Sequence, residues 1–416
     1  MFKKFLATRN PYQEKLWTKD FIKVGSLALF ANICIQMLIS SFPIYLEQLG
    51  SSATMIGSVA TGYTICAMLV RFVAGNIIDK KGRLIVGIVG LILLGIPLFG
   101  YISFPIVALT VCFRMVQGFG ASATTITTGT MVVDVLPKSR MAEGVGYYGL
   151  FTSLAIAVGP AVGLALIEIN PNIVFICSIV AVIVSFTILM TLRYEKSPAF
   201  LEKVAREDAE ETPVSPDQYK GIWKFFEKKS MPSGVLTIMI AICTATSVNF
   251  LSLFATSLGL ANVSFYFVIQ AIFMLLVRLF GGRLSSRFGQ YNMLIMSFSV
   301  IIVSYLLMAF INSTALLYIS AAVYGIGCGF CWPNLNVLAL SGVPRTRRGT
   351  ANSTYLASYD VGAGIGALIW GVVIDLFRNS IFGGYRPIFI LSSILIFVTI
   401  LMTIYLKKRY PCELDQ

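Results

Sequence analysis

"LVRFVAGNIIDKKGR" spans Leu69–Arg83, and "LVRLFGGRLSSRFGQ" spans Leu276–Gln290. Both open on Leu-Val-Arg, and Gly75 and Gly82 of the first stand where Gly282 and Gly289 stand in the second, 207 residues on. Without a gap in that offset, Gly118 and Gly120 meet Gly325 and Gly327. Pro137 and Arg140 meet Pro344 and Arg347, Tyr148 meets Tyr355, and Gly159 meets Gly366. One register held from Leu69 to Gly159 marks a duplicated unit.

The unit is made of membrane helices. Of the 416 residues 57% are hydrophobic and only 12% charged, far from soluble globular usage. Apolar runs of the roughly 20 residues needed to cross a bilayer recur throughout. Twelve spans are expected, near 21–46, 55–77, 84–102, 105–132, 144–167, 172–193, 231–256, 261–282, 291–311, 314–340, 350–376 and 387–406. The first is too long for a cleaved leader and lacks a small-residue cleavage site. The expected organisation is an N-terminal six-helix bundle over 1–193, a polar linker over 194–230, and a C-terminal six-helix bundle over 231–416.

The formal charge of +13 reads as topology. With these spans, 27 of the 32 Lys and Arg fall in the tails, loops and span ends on one side, which the positive-inside rule makes cytoplasmic. Both termini are expected there, in a multi-pass cell-membrane protein. Dispersed basic residues of this kind speak against a nucleic-acid partner. The chain has no histidine, so no Ser-His-Asp triad can form and any proton chemistry falls to carboxylates. No metal-ligand constellation is visible, and seven of the eight Cys lie in spans as small apolar side chains.

Paired six-helix units with both termini on one side are a known transporter plan, in which two bundles rock about a site near the midplane. Charges inside the spans mark candidates for that site. Asp360, in "LASYDVGAGIGALIWG", lies about twelve residues into span eleven, and its repeat mate is Ser153. It is the best candidate for a proton carrier or cation anchor, the alternative being a permanent partner for Arg278 or Arg114. Arg114 lies deep in span four, with Gln117 one turn away on the same face. Arg71 and Arg278 are repeat mates about two turns from their helix ends, within snorkelling range, and a shared structural task suits them better. Polar and aromatic positions that could line a cavity are Asn32, Gln36, Tyr63, Asn249, Gln270, Asn334, Tyr355 and Tyr359, with Gln117.

Three stretches carry a family resemblance. "GNIIDKKGR" (Gly75–Arg83), "RMVQGFGA" (Arg114–Ala121) and "GPAVG" (Gly159–Gly163) resemble motifs of the major facilitator superfamily, along nearly the full chain and nearest to its drug/proton antiporter branch. In one departure, Leu84 follows Arg83 where that motif often carries a second basic residue. Local physics agrees with the first stretch. Gly75 and Gly82 permit a tight turn, Asp79 can accept from a helix N-terminus, and Arg83 can reach Asp134 at the end of span four. The resemblance implies that Gly75, Asp79, Gly82, Arg83 and Asp134 form a gating latch; a static loop staple is the alternative. It also assigns Arg114 to proton coupling, and Gly159, Pro160 and Gly163 to the motif that marks exporters.

The resulting expectation is an all-α membrane protein with twelve transmembrane helices in two pseudo-symmetric six-helix bundles, and not an enzyme. It would act as a monomer in the lipid bilayer, needing no cofactor beyond the proton gradient. Its function would be proton-coupled export of small amphipathic or cationic organic compounds by alternating access. A dedicated metabolite or metallophore exporter and a nutrient uptake symporter are the alternatives on the same fold.

Overall fold

The computed structural model describes residues 15–137, 140–196, 200, 226–260, 262–343, 347–379 and 383–409. Within them, side chains at 72–76, 79–81, 141–143, 146, 196, 278–283, 285–287, 348 and 349 fall outside the description.

Twelve long helices follow one another: α1 (Lys19–Gln48), α2 (Ala53–Lys81), α3 (Arg83–Ser103), α4 (Val107–Val135), α5 (Met141–Ile169) and α6 (Pro171–Met190) precede the linker. After it come α7 (Met231–Ser257), α8 (Ser264–Phe288), α9 (Gln290–Ala309), α10 (Thr314–Leu340), α11 (Arg348–Leu376) and α12 (Arg386–Arg409). There is no strand among the described residues. In a bilayer no water can satisfy an open backbone, so each apolar run closes its own hydrogen bonds as a helix. The starts carry local signals. Thr18 Oγ1 accepts from Phe21 N at 3.1 Å, and Ser52 Oγ from Met55 N at 3.2 Å. Asn170 ends α5 and its Oδ1 accepts from Asn172 N at 2.8 Å, while Pro171 opens α6 at its first position.

Every expected span lies on one of these helices. Ten segments are apolar and long enough to cross a membrane by composition alone. The remaining two are α8, described as an apolar segment only over Ser264–Val277, and α4, which holds Arg114, Gln117 and a run of Ser and Thr. Such a helix needs protein around it, and α4 packs against α1, α2 and α3. Outward faces such as Ile176, Val180 and Ile183 of α6 are apolar and half exposed, as lipid requires.

The sequence repeat is a repeat of contacts. Gly82 (φ 85°, ψ 160°) makes the α2–α3 turn and Gly289 (φ 81°, ψ 157°) the α8–α9 turn, in a backbone region that only glycine enters cheaply. Gly118 lets α4 approach the carbonyl of Tyr63, and Gly325 lets α10 approach the carbonyl of Gln270; both members of each contact are 207 apart. Gly120 against Leu94 and Gly327 against Ile301 repeat the relation between α3–α4 and α9–α10. Small residues at crossings bring backbones together where lipid offers no hydrophobic drive. A Cβ on Gly120 would strike the backbone of Leu93 and Leu94, which no rotamer can relieve. Gly120→Val is therefore expected to cost about 3 kcal/mol and to lower the thermal midpoint in detergent. Gly149→Ala, whose Cβ would have nothing within 4 Å, is the matched control with unchanged melting.

The halves meet through α2 with α11, α5 with α8, and α1 with α7. Thr61 Oγ1 donates to Gly364 O at 2.6 Å, and Gly57 and Gly371 admit the carbonyls of Ala367 and Ala53. At the face opposite the chain ends, Asp375 of α11 accepts the Thr54 N–H of α2 at 2.8 Å.

Candidate functional site

Between the halves lies a cavity of about 200 Å³, with walls from α1, α2, α4, α7 and α11. Most of the wall is apolar, with Ile35, Ile39, Val59 and Ala363 as examples, and three lining residues are charged: Arg71, Arg114 and Asp360.

Arg114 is 6% exposed. Its guanidinium lies over the ring of Phe42 (4.2 Å) on one helix and that of Tyr63 (4.5 Å) on another. Nη1 donates to Gln117 Oε1 at 2.7 Å, one turn along α4, and Tyr101 Oη donates to the same oxygen at 3.1 Å. Two ring faces and an amide stabilise the buried cation. No carboxylate of the described residues lies within 4.0 Å of it.

Asp360 is 7% exposed and pairs with Arg71, Nε to Oδ2 at 2.7 Å, with a long Nη2–Oδ1 hydrogen bond of 3.4 Å. Despite the short distance, neither Arg71 Nε nor Asp360 Oδ2 reaches hydrogen-bond alignment, so the contact is ionic. The pair joins α2 to α11, first half to second. Arg71 is thus a wall residue of the cavity rather than a surface anchor, because α2 turns it toward α11 instead of lipid. Among the described residues the partner of Asp360 is Arg71 and not Arg114; the side chain of Arg278 lies outside them.

Of the other expected cavity positions, Tyr63, Asn249 and Tyr359 line the cavity, and Gln117 stands behind Arg114. The other five are not among the residues that line this cavity. Asn32 and Asn334 donate to carbonyls of their own helices, Ala28 O (2.7 Å) and Phe330 O (2.6 Å). Gln36 packs against Gly159 at the α1–α5 crossing, Gln270 under Gly325, and Tyr355 Oη donates to Trp332 O at 3.3 Å. Phe42, Thr64, Ser122, Thr125 and Thr244 complete the polar and aromatic wall without having been singled out from sequence. Gly163 faces the Met37 carbonyl, and Ser40 Oγ donates to Pro160 O at 3.4 Å, so "GPAVG" is a close α1–α5 crossing.

At the face of the chain ends, Arg83 Nε donates to Asp134 Oδ2 at 2.9 Å, binding α3 to α4 within one half. Tyr194 Oη donates to the same oxygen at 3.1 Å. Burial first, then the adjacent Asp134 and Glu195 charges, push the Tyr194 phenol well above its ordinary range, so it remains a donor. Glu195 caps α3, accepting from Arg83 N at 2.6 Å and Leu84 N at 3.4 Å. Both residues sit just past α6 with no periodicity to single them out. Gly75 and Asp79 lie outside the residues whose side chains are described. A second buried pair was also missed: Arg347 Nε donates to Glu227 Oε2 at 2.7 Å, fastening the end of the linker to the start of α11.

The model of the Major Facilitator Superfamily matches residues 24–367 and 237–415. The staphylopine export protein of Staphylococcus aureus is 25% identical over 407 residues, covering 94% of this chain and 96% of that protein. The quinolone resistance protein NorA of Staphylococcus aureus is 21% identical over 389 residues, covering 92% and 95%. Among solved structures, the nucleoside transporter NupG superposes with a TM-score of 0.72 at 15% identity (92% and 99% covered). A peptide transporter POT in complex with sulfate superposes with 0.74 at 13% identity (94% of both chains). Twin six-helix bundles around a charged central cavity and a family match across both halves lead to one conclusion: the chain belongs to the Major Facilitator Superfamily.

Proposed function

We propose that the chain is a proton-coupled exporter of small amphipathic organic compounds that works by alternating access. The observation that carries this reading is the Arg71–Asp360 pair, which ties one half to the other inside the cavity. A proton on Asp360 cancels the attraction and releases α2 from α11. Loss of the proton restores it. A carboxylate that is both the proton site and the clasp between the rocking units converts a proton gradient into a preference for one orientation. The first half, 1–193, and the second, 231–416, are the rocking bodies, and the segment 194–230 joins them. Arg114 adds a fixed positive charge to the same cavity, and Arg83 with Asp134 braces α3 against α4 where the family's latch lies.

The direction rests on the exporter-like "GPAVG" stretch and on two relatives, one named for staphylopine export and one for quinolone resistance. A dedicated metabolite exporter is the narrower form of the same reading. The Lys and Arg distribution supports a plasma-membrane protein with both termini in the cytoplasm, acting as a monomer. The test is an untargeted mass-spectrometric comparison of medium from expressing and control cells, with and without an uncoupler. The expected result is a set of organic compounds enriched in the medium of expressing cells, with the enrichment lost on uncoupling. Compounds depleted from the medium would instead mark an uptake symporter, and indifference to the uncoupler would remove the proton.

A further inference from the structure

The charges of the cavity do not cancel. Among the described lining residues Arg71 and Arg114 supply two positive charges and Asp360 one negative, a net charge of +1. Arg71 has its carboxylate; Arg114 has aromatic faces, one amide oxygen and the Tyr101 phenol. A desolvated guanidinium held by ring faces and neutral oxygens retains a strong demand for an anion. Beside Arg114, Gln117 Nε2 is buried without a partner, and Ser122 Oγ, about 12 Å from Arg114 along α4 by helical rise, is a second buried, unpartnered polar atom on the cavity wall.

The two charged ends are separated along α2. Tyr63, whose ring lies against Arg114, and Arg71, which holds Asp360, are eight residues apart on one helix face, or about 12 Å by helical rise. Between them α2 lines the wall with Thr64 and Ala67, and α11 adds Ala363 and Ala367 to the same cavity, a mostly apolar surface.

We infer that the transported compound carries a carboxylate, which binds Arg114, and an amine at the other end of an apolar body, which takes Asp360 from Arg71. The reasoning rests on the cavity being the transport site proposed above. A simple cation would meet a net positive wall. A simple anion would satisfy Arg114, but would bind together with a proton on Asp360, which favours co-transport. A zwitterion settles both: its carboxylate meets Arg114, and its ammonium and the proton exclude one another at Asp360, as exchange demands. The misaligned contact between Arg71 Nε and Asp360 Oδ2 is suited to being traded.

The test uses purified full-length protein in detergent and calorimetric titration with three rigid biphenyl probes. One carries a carboxylate at one end and an aminomethyl group at the other. The second is its methyl ester, and the third the acid with methyl in place of aminomethyl. The zwitterion is expected to bind tightest and the ester weakest. Arg114→Gln should weaken both carboxylate probes by roughly 10-fold or more and leave the ester unchanged, while Arg114→Lys keeps the wild-type order. Tightest binding of the ester, an unchanged order in Arg114→Gln, or no saturable binding of any probe would overturn the assignment. If Arg114→Gln does not fold, the wild-type order and Arg114→Lys still decide. Because the titration is at equilibrium without a pH gradient, its failure leaves proton-driven export standing, and failure of the export test leaves the binding order readable.

Discussion

Asp360→Asn is expected to reduce uncoupler-sensitive export to the level of control cells, with the protein still present in the membrane at normal abundance. The asparagine amide matches the carboxylate in shape and, like the protonated acid, lacks the charge that holds Arg71. It cannot take up or lose a proton, and it removes the charge on which release of Arg71 depends. The surrounding packing does not rely on that charge: Thr61 to Gly364 O at 2.6 Å and the carbonyl contacts under Gly57 and Gly371 remain. The discriminating measurement separates coupling from movement. Exchange of labelled for unlabelled substrate across vesicles at equal pH should persist in Asp360→Asn, while accumulation driven by a pH difference disappears. Asp360→Glu, which keeps the titrating group one methylene further out, should recover part of the driven rate. Full driven transport in Asp360→Asn would remove this residue from the mechanism.

Glu227→Ala is expected to cost about 3 kcal/mol of stability, read as a lowered thermal midpoint in detergent. The two side chains of its pair are only 10% and 8% exposed. Removing the carboxylate takes the paired charge from the Arg347 guanidinium, which also donates to the Phe226 carbonyl at 3.0 Å. It also frees Lys229 N, which Glu227 Oε1 accepts at 3.2 Å ahead of α7. The cost comes from the uncompensated charge more than from the lost attraction. The double change Glu227→Met with Arg347→Met should therefore lose less than the two single changes together, since the pocket is left without a buried ion. Strictly additive losses would show that the pair is not a coupled unit. Transport should fall only in step with protein abundance, because the pair lies at the linker and not on the cavity wall.

The helices, their number and the internal repeat were legible in the sequence because the bilayer leaves little choice. An apolar run of bilayer length closes its own hydrogen bonds, and the glycines that repeat at 207 residues do so because the same helix crossings occur twice. The deep carboxylate at Asp360 could be found by counting residues along span eleven, since charge inside hydrocarbon is expensive wherever it occurs. The turn at Gly82 was legible too, as glycine after a basic helix end.

What only the tertiary structure decided is which way each helix faces. In water a buried face betrays itself by hydrophobic periodicity, but lipid is as apolar as the protein interior and the signal is flattened. Hence Asn32, Gln36, Gln270, Asn334 and Tyr355 looked as eligible for the cavity as Tyr63, Asn249 and Tyr359, and Arg71 looked like a surface anchor. Its pairing with Asp360, 289 residues away, exists because the α2–α11 crossing brings the two halves into register. Sequence determined that charges had to be buried between two related bundles; packing alone determined that two arginines and one aspartate share the cavity, and so what it can hold.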